Sequence, residues 1–430
     1  MSVKFGSSGI RGIVSEEITP QIALDFGLAI GSIYHEVVIG RDPRVSGKML
    51  ESAVVCGLLA AGSKVVKIGM VPTPTLAIAS RNFDCGIMVT ASHNPAEYNG
   101  MKVFKKGMSF DSKDQEEIEH LLNEKKWSFA KWEKTGNVSE NGTALREHTD
   151  IILKNIKNAK LKVVVDCGCG AASVITPYLL REMGCQVITL NSQPDGHFPG
   201  REPEPMDETL GSLKIMVKTA GGDLGIAHDG DADRMMAVDN QGRFVTGDKM
   251  LAFFAVREAK KTIAVPVDTS RVIDDLLDGV KISRTKVGDV YVAEELKRIG
   301  GDFGGEPSGA WIFPGISLCP DGIYAAARLV ELVNREGDFG DLLDDIPDYP
   351  VKRGAFPCSD RHKAMSGISR QLGKLGAINT LDGVRVDMED GWVLVRPSGT
   401  EPKIRITVES MNRCDELYKM AEDIVKGEIK

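Results

Sequence analysis

No apolar run in the 430 residues approaches the roughly 18 needed to cross a bilayer. The opening stretch Met1-Ser2-Val3-Lys4-Phe5-Gly6-Ser7-Ser8 lacks the apolar centre of a secretion signal, so the expectation is a cytoplasmic chain with no membrane partner. Long basic blocks are missing too, and a net charge of −8 with a pI near 5.6 argues against a nucleic-acid surface. An anionic ligand would have to be held by local donors. There is no Cys-x-x-Cys pair. The eight cysteines, at 56, 85, 167, 169, 185, 319, 358 and 414, lie mostly in apolar segments, and the spacing of Cys167 and Cys169 misses that of zinc and redox sites. They read as small hydrophobes of a reducing compartment. No internal repeat stands out.

What is present is ordinary globular composition, 42% apolar and 27% charged, in a chain long enough for three or four domains at about 100–150 residues each. Strand and helix patterns alternate. Residues 37–39, 64–68, 85–89, 162–166, 224–227, 262–266, 280–285 and 302–304 read as short strands, and Leu50, Val54, Leu58 and Ala61 mark one helix face. Helices are expected over 114–126, 271–277, 289–299 and 321–335. This βαβ grammar predicts α/β domains with parallel or mixed sheets. Divisions are placed to give segments 1–150, 151–248, 249–348 and 349–430, with 338–350 as the linker to the last.

Five polar loops carry the candidate chemistry. Cys85–Val89 runs into Thr90-Ala91-Ser92-His93-Asn94-Pro95, which puts Ser92 on a tight loop at the carboxyl end of a buried strand, where ligands bind in open α/β sheets. Lys102 follows closely enough to fold back toward it. Near the N-terminus, Gly6, Gly9 and Gly12 with Ser7 and Ser8 surround Arg11, a composition suited to an anion. In His228-Asp229-Gly230-Asp231-Ala232-Asp233-Arg234 an extended backbone would place Asp229, Asp231 and Asp233 on one face. An all-carboxylate set without His or Cys suits a hard cation, and Mg²⁺ is favoured because a phosphate oxygen commonly completes its shell; the rival, an EF-hand, lacks its Gly and Glu at the required offsets and a flanking helix pair. Gly304 to Gly309 holds Glu306 and Ser308 between glycines, able to meet sugar hydroxyls. Arg396, Ser398, Gly399 and Thr400, with Lys403 and Arg405 on the next strand, form a donor-rich phosphate pocket. Each loop taken alone also reads as plain turn chemistry.

Together these loops resemble the α-D-phosphohexomutase family nearly end to end. The residues that carry the likeness are Ser7 to Gly12, Thr90 to Pro95, Asn99-Gly100-Met101-Lys102, Asp229 to Arg234, Gly305 to Gly309 and Arg396 to Arg405. Lys286 to Tyr291 and Gly305 to Gly309 look most like phosphoglucosamine mutases, particularly the shorter archaeal type. The resemblance implies three similar α/β domains and a smaller C-terminal α+β domain around a central cleft. It implies an isomerase that moves a phosphoryl group between the 6- and 1-positions of glucosamine phosphate, or of glucose or mannose phosphate. Ser92 would be the phosphoserine, holding Mg²⁺ together with Asp229, Asp231 and Asp233. Lys102, Arg11 and His93 would assist proton transfer and stabilise charge. Glu306, Ser308, Gly288, Asp289 and Arg234 would contact the sugar phosphate, and Arg396, Ser398, Gly399, Thr400 and Arg405 its non-reacting phosphate. Monomer and homodimer are both open. A Mg²⁺ phosphatase and a non-catalytic sugar-phosphate-binding protein are the rivals from other classes. One departure stands out: Ala310 occupies a position where many relatives carry His.

Overall fold

The structure, a computed structural model, describes residues 5, 6, 9–399 and 402–429. Ser7, Ser8 and Thr400 of the expected motifs lie outside the described residues. The chain divides into two compact units, Met1–Met250 with Pro307–Asp345, and Leu251–Glu306 with Ile346–Lys430. Among the described residues no helix is long and apolar enough to cross a membrane.

The first unit holds two sheets. In one, the strands run in the order Gly9–Ile13, Tyr98–Lys105, Cys85–Val89, Glu36–Arg41, Lys64–Met70, Val138–Glu140, with Met108–Ser109 paired to Tyr98–Lys105. Cys85–Val89, Glu36–Arg41 and Lys64–Met70 are parallel, whereas Tyr98–Lys105 is antiparallel to both of its neighbours. Alternate residues serve opposite faces. Val37, Ile39, Ile87 and Val89 join Phe26, Ile30, Val54 and Leu58 of the helices Pro20–Gly31 and Gly47–Ala61, while Val38 and Met88 pack with Leu76 and Ala77 of the helix Thr73–Ala79. Burial on both sides is why the strand before Ser92 is apolar at every position.

The second sheet runs Phe244–Val245, Met235–Asp239, Leu224–His228, Lys162–Asp166, Gln186–Leu190. Its last three strands are parallel, and Met235–Asp239 returns antiparallel to Leu224–His228 with His228 opposite Met235. The residues between must therefore reverse direction within one loop. Asp229 to Asp233 is accordingly a turn, with Ala232 in the left-handed region at φ 58°, and not the extended segment expected from alternation.

In the second unit Lys281–Thr285, Thr262–Pro266 and Phe303–Gly305 form a parallel set. The C-terminal sheet, Val351–Pro357, Lys403–Ser410, Gly391–Pro397, Val384–Met388, Ile378–Asn379, is antiparallel throughout. Val386, Val393, Val395, Ile404 and Val408 pack on Ile368 and Leu372 of the helix Arg361–Leu372 and on Leu417, Ala421 and Val425 of Cys414–Glu428. These are the expected α/β and smaller α+β arrangements. The divisions drawn at 150 and 248 lie inside the helices Ala144–Asn155 and Gly247–Glu258. Residues 338–350 are not all linker. Asp338 caps a short helix, Phe339–Asp344, which buries Phe339 and Leu343; acidic composition concealed a capping aspartate followed by an apolar pair at helical spacing.

Candidate active site

Ser92 sits where the sequence puts it, at the carboxyl end of Cys85–Val89, but in an unusual backbone state. Its φ is 50°, and the residue is buried. Its amide donates to Thr90 Oγ1 at 2.9 Å, and its Oγ donates to Asp229 Oδ2 at 2.7 Å, with His93 Nδ1 3.4 Å away. The serine loop and the aspartate turn meet at backbone distance. A Cβ added to Gly230 would lie 2.5 Å from the Ser92 carbonyl oxygen, so the side chain that separates Asp229 from Asp231 has to be absent.

The three carboxylates converge, with one oxygen from each lying within 4.8 Å of the others. Lys102, reaching in from Tyr98–Lys105, donates to Asp231 Oδ2 at 2.9 Å and to Asp233 Oδ2 at 2.6 Å. Thr73 donates to Asp231 twice, from Oγ1 to Oδ2 at 2.5 Å and from its amide to the carbonyl at 2.9 Å. Burial, and then the charges of Asp233 and Asp231, pushes Asp229 well above the carboxylate range. Burial and Asp231 raise Asp233 as well, against the pull of Lys102. Asp231 goes the other way: burial opposes it, but the Lys102 charge and the hydrogen bonds from Thr73 and Lys102 hold it below its ordinary value. Lys102, with the Arg234 charge acting on Asp229 and Asp233, thus compensates three buried carboxylates incompletely. Asp231 Oδ1 is buried and accepts no hydrogen bond. An oxygen-only donor set with excess negative charge and an orphaned oxygen fits a hard divalent cation.

Arg11, on Gly9–Ile13, is paired in register with Gly100 and donates to Asn94 Oδ1 at 3.1 Å. Gly9, Ile10, Arg11, Thr90, Ala91 and Lys102 line a small open pocket beside the serine loop. Burial, followed by the charges of Arg234, Arg11, Lys102 and Arg44, pushes His93 well below its ordinary value, so the imidazole is neutral at physiological pH. Arg234 is held by Glu204 at 3.2 Å. The segment carrying Ser308 is fastened beside the metal turn: Met235 N donates to Gly309 O at 2.9 Å, and Ala310 bridges Arg234. Ala310 is buried there.

In the second unit Gly288, Asp289 and Glu306 come together. Gly288 precedes the helix Asp289–Ile299, and its amide donates to Glu306 Oε1 at 2.7 Å. Arg396 stands opposite Arg405 on paired strands. Its Nη1 lies 3.7 Å from Asp382, which also accepts from Val287 N at 3.1 Å, so one carboxylate ties the 286–289 loop to the Arg396 loop. Ser398 is buried, its amide donating to Lys403 O at 2.8 Å and its carbonyl accepting from Arg361 Nη1; Gly399 is exposed.

Four residues of this scaffolding had no place in the sequence reading of the site: Thr73, Arg44, Asp382 and Arg361. Thr73 opens the helix that follows Lys64–Met70, and Arg44 lies in the loop after Glu36–Arg41; both strands are parallel to Cys85–Val89, so the strand order was the signal available for them. For Asp382 and Arg361, only contacts across the C-terminal sheet reveal the role.

Residues 2–129, 143–242 and 246–349 match the families described as phosphoglucomutase/phosphomannomutase, alpha/beta/alpha domains I, II and III, and residues 355–427 match the corresponding C-terminal domain. The chain is 58% identical over 432 residues to a probable phosphoglucosamine mutase of Methanosarcina acetivorans, covering 99% of each. It is 44% identical over 441 residues to the phosphoglucosamine mutase of Methanocaldococcus jannaschii, covering 98% of each. The crystal structure of a phosphoglucomutase/phosphomannomutase family protein from Burkholderia thailandensis is 27% identical, with a TM-score of 0.87 over 99% of this chain and 98% of that one. With four consecutive domain matches spanning nearly its whole length, the chain belongs to the phosphoglucomutase/phosphomannomutase family of α-D-phosphohexomutases.

Proposed function

We propose that the protein interconverts glucosamine 6-phosphate and glucosamine 1-phosphate through a phosphoserine at Ser92 and a bisphosphorylated sugar. The observation that carries this reading is the Ser92 hydroxyl 2.7 Å from Asp229, with Lys102 bound to both remaining aspartates. The choice of amino sugar follows the Methanosarcina and Methanocaldococcus relatives, which match at full length.

In the first half-reaction the P–O bond to Ser92 breaks and a P–O bond to a sugar hydroxyl forms, while that hydroxyl gives up its proton. Ser92 Oγ leaves as the acceptor of the next phosphoryl group, taken from the other end of the sugar once the intermediate has turned around. A phosphoryl group in transit presents diffuse negative charge and asks little covalent work of the protein. Fixed positive groups therefore do most of the catalysis. Lys102 and Arg11 meet that charge, and His93, held neutral beside Ser92, accepts a proton. Asp229, Asp231 and Asp233 would hold Mg²⁺, with an oxygen of the phosphorylated Ser92 as a further ligand. When bound, the ion supplies positive charge to the phosphoryl oxygens. Glu306 and Ser308, with Gly288, Asp289 and Arg234, take the sugar and reacting phosphate; Arg396, Ser398, Gly399, Thr400 and Arg405 take the phosphate that is not reacting.

Catalytic efficiencies on the 6-phosphates of glucosamine, glucose and mannose test the assignment. The highest value on glucosamine supports it, and equal or better turnover of glucose or mannose phosphate reassigns the substrate. Release of inorganic phosphate in step with substrate loss would mark a phosphatase. No turnover, with no phosphoryl group on Ser92 by intact mass, would mark a binding protein.

A further inference from the structure

The end of the strand Glu36–Arg41 and the loop Asp42-Pro43-Arg44 after it supply no group that touches the substrate in the reaction above, yet they contain an arginine beside the serine with every donor engaged. Arg44 is 1% exposed. Its Nε donates to Asp42 Oδ2 at 3.1 Å. Nη1 donates to the carbonyls of Pro95 at 2.5 Å and Tyr98 at 2.8 Å, and Nη2 to those of Ser92 at 2.9 Å and Asn94 at 2.6 Å. A guanidinium has five N–H donors in a fixed plane, and all five are used here. Four of them hold one turn of chain, with Ser92 at its start.

The same residue touches the support of the aspartate turn. The Phe198 ring centroid is 5.1 Å from Arg44 Cζ, and a Cβ on Gly230 would meet that ring at 3.5 Å. A Cβ on Gly196 would come within 2.6 Å of Arg44 Cα, so the turn bearing Phe198 rests on the Arg44 backbone. Asp42 completes the frame: its carboxylate accepts from Arg44 N at 3.0 Å and from Thr90 Oγ1 at 2.7 Å, and Thr90 Oγ1 receives the Ser92 amide.

We propose that Arg44 is a positioning residue for phosphoryl transfer, holding the Ser92 carbonyl inward so that Oγ faces Asp229, and fixing the serine loop against the aspartate turn through Phe198. The inference rests on the reading that Ser92 carries the phosphoryl group. A lysine cannot replace the arginine, because three donors on one nitrogen cannot span four carbonyls and a carboxylate.

The test compares wild type with Arg44→Lys, Arg44→Ala and Phe198→Leu on the sugar phosphate that wild type turns over best. Circular dichroism and thermal melting identify the folded variants. For Arg44→Lys the expected result is a kcat about 100-fold lower with KM changed less than about threefold, since substrate contacts are untouched. Arg44→Ala should regain part of its kcat in millimolar guanidinium but not in ammonium at equal ionic strength. Phe198→Leu, which removes no hydrogen bond from Arg44, should lower kcat several-fold and answers the question if both arginine variants fail to fold. Wild-type kcat in folded Arg44→Lys, a loss expressed in KM, or equal rescue by ammonium would each overturn the proposal; so would full activity of Phe198→Leu. Intact mass of wild type after incubation with a hexose 1,6-bisphosphate separates the two claims: absence of the phosphoryl group refutes the Ser92 reading itself.

Discussion

The Ser92 hydroxyl and the Asp229 carboxylate are hydrogen-bonded at 2.7 Å across 137 positions of chain. Both are buried, and burial drives Asp229 toward its protonated form unless positive charge arrives to offset it. Ser92→Ala should leave the fold intact and abolish exchange between the two sugar phosphates, reducing kcat by at least about 10³-fold, and the phosphorylated species should vanish from intact-mass spectra. Wild-type turnover in this variant would end the phosphoserine mechanism.

Asp231 combines an unpartnered buried oxygen with a second oxygen fixed by Thr73 and Lys102. Asp231→Asn should raise the Mg²⁺ concentration needed for half-maximal activity by about 10-fold or more, as removal of a ligand or its orienting shell usually does. In the wild-type protein Mg²⁺ should raise the melting temperature, and in Asp231→Asn this shift should shrink; both are read by thermal melting across a metal titration.

Gly230 has no room for a methyl group, because the obstruction is the Ser92 carbonyl, which Arg44 also holds. Gly230→Ala should cost about 1–3 kcal/mol through overpacking and should lower kcat more than it raises KM. Denaturant titration and steady-state kinetics on the same preparation check both parts.

Asp302 accepts from the amides of Lys260, Lys261 and Thr262 at 3.1, 2.6 and 3.0 Å. Partial burial opposes ionisation, but these three donors outweigh it and hold the carboxyl below its ordinary value. A depressed pKa in the folded state means stability that is present above the unfolded pKa of about 4 and lost as pH falls through the folded value. Asp302→Asn should therefore be less stable than wild type at pH 7, and the difference should narrow below about pH 4. A gap that stays constant across that range contradicts the assignment.

None of the eight cysteines forms a disulfide, and Cys56 alone is exposed. Burial pushes the Cys85 and Cys167 thiols up, which suppresses their thiolates further. A thiol-disulfide reagent should modify one cysteine quickly in the native protein, Cys56 by peptide mapping, with Cys414 slower and the rest reacting only on unfolding.

Much of the frame was legible locally. The run from Cys85 to Val89 is apolar at every position because helices cover both faces of its sheet, and Asp289–Ile299 keeps the bounds its periodicity indicated. The serine loop followed from Asn94-Pro95, because the proline lacks a ladder donor and biases Asn94 toward an extended or turn geometry. The metal turn was legible in its chemistry and wrong in its geometry: alternating aspartates suggest an extended strand, but antiparallel pairing of the flanking strands makes the segment turn. The linker helix Phe339–Asp344 was hidden by its acidic surroundings.

The amino-acid sequence by itself determined which segments become strands and helices, and which loops carry a hydroxyl, three carboxylates or clustered donors. Periodicity, glycine, proline and charge act over a few residues and leave their mark there. Only tertiary structure decided that Lys102 answers Asp231 and Asp233, that Thr73 orients one of them, that Arg44 holds the Ser92 carbonyl, and that Asp382 joins Val287 to Arg396. Those contacts depend on strand order and on how closely two backbones approach, quantities set by packing across the whole sheet, and no short stretch of sequence records them.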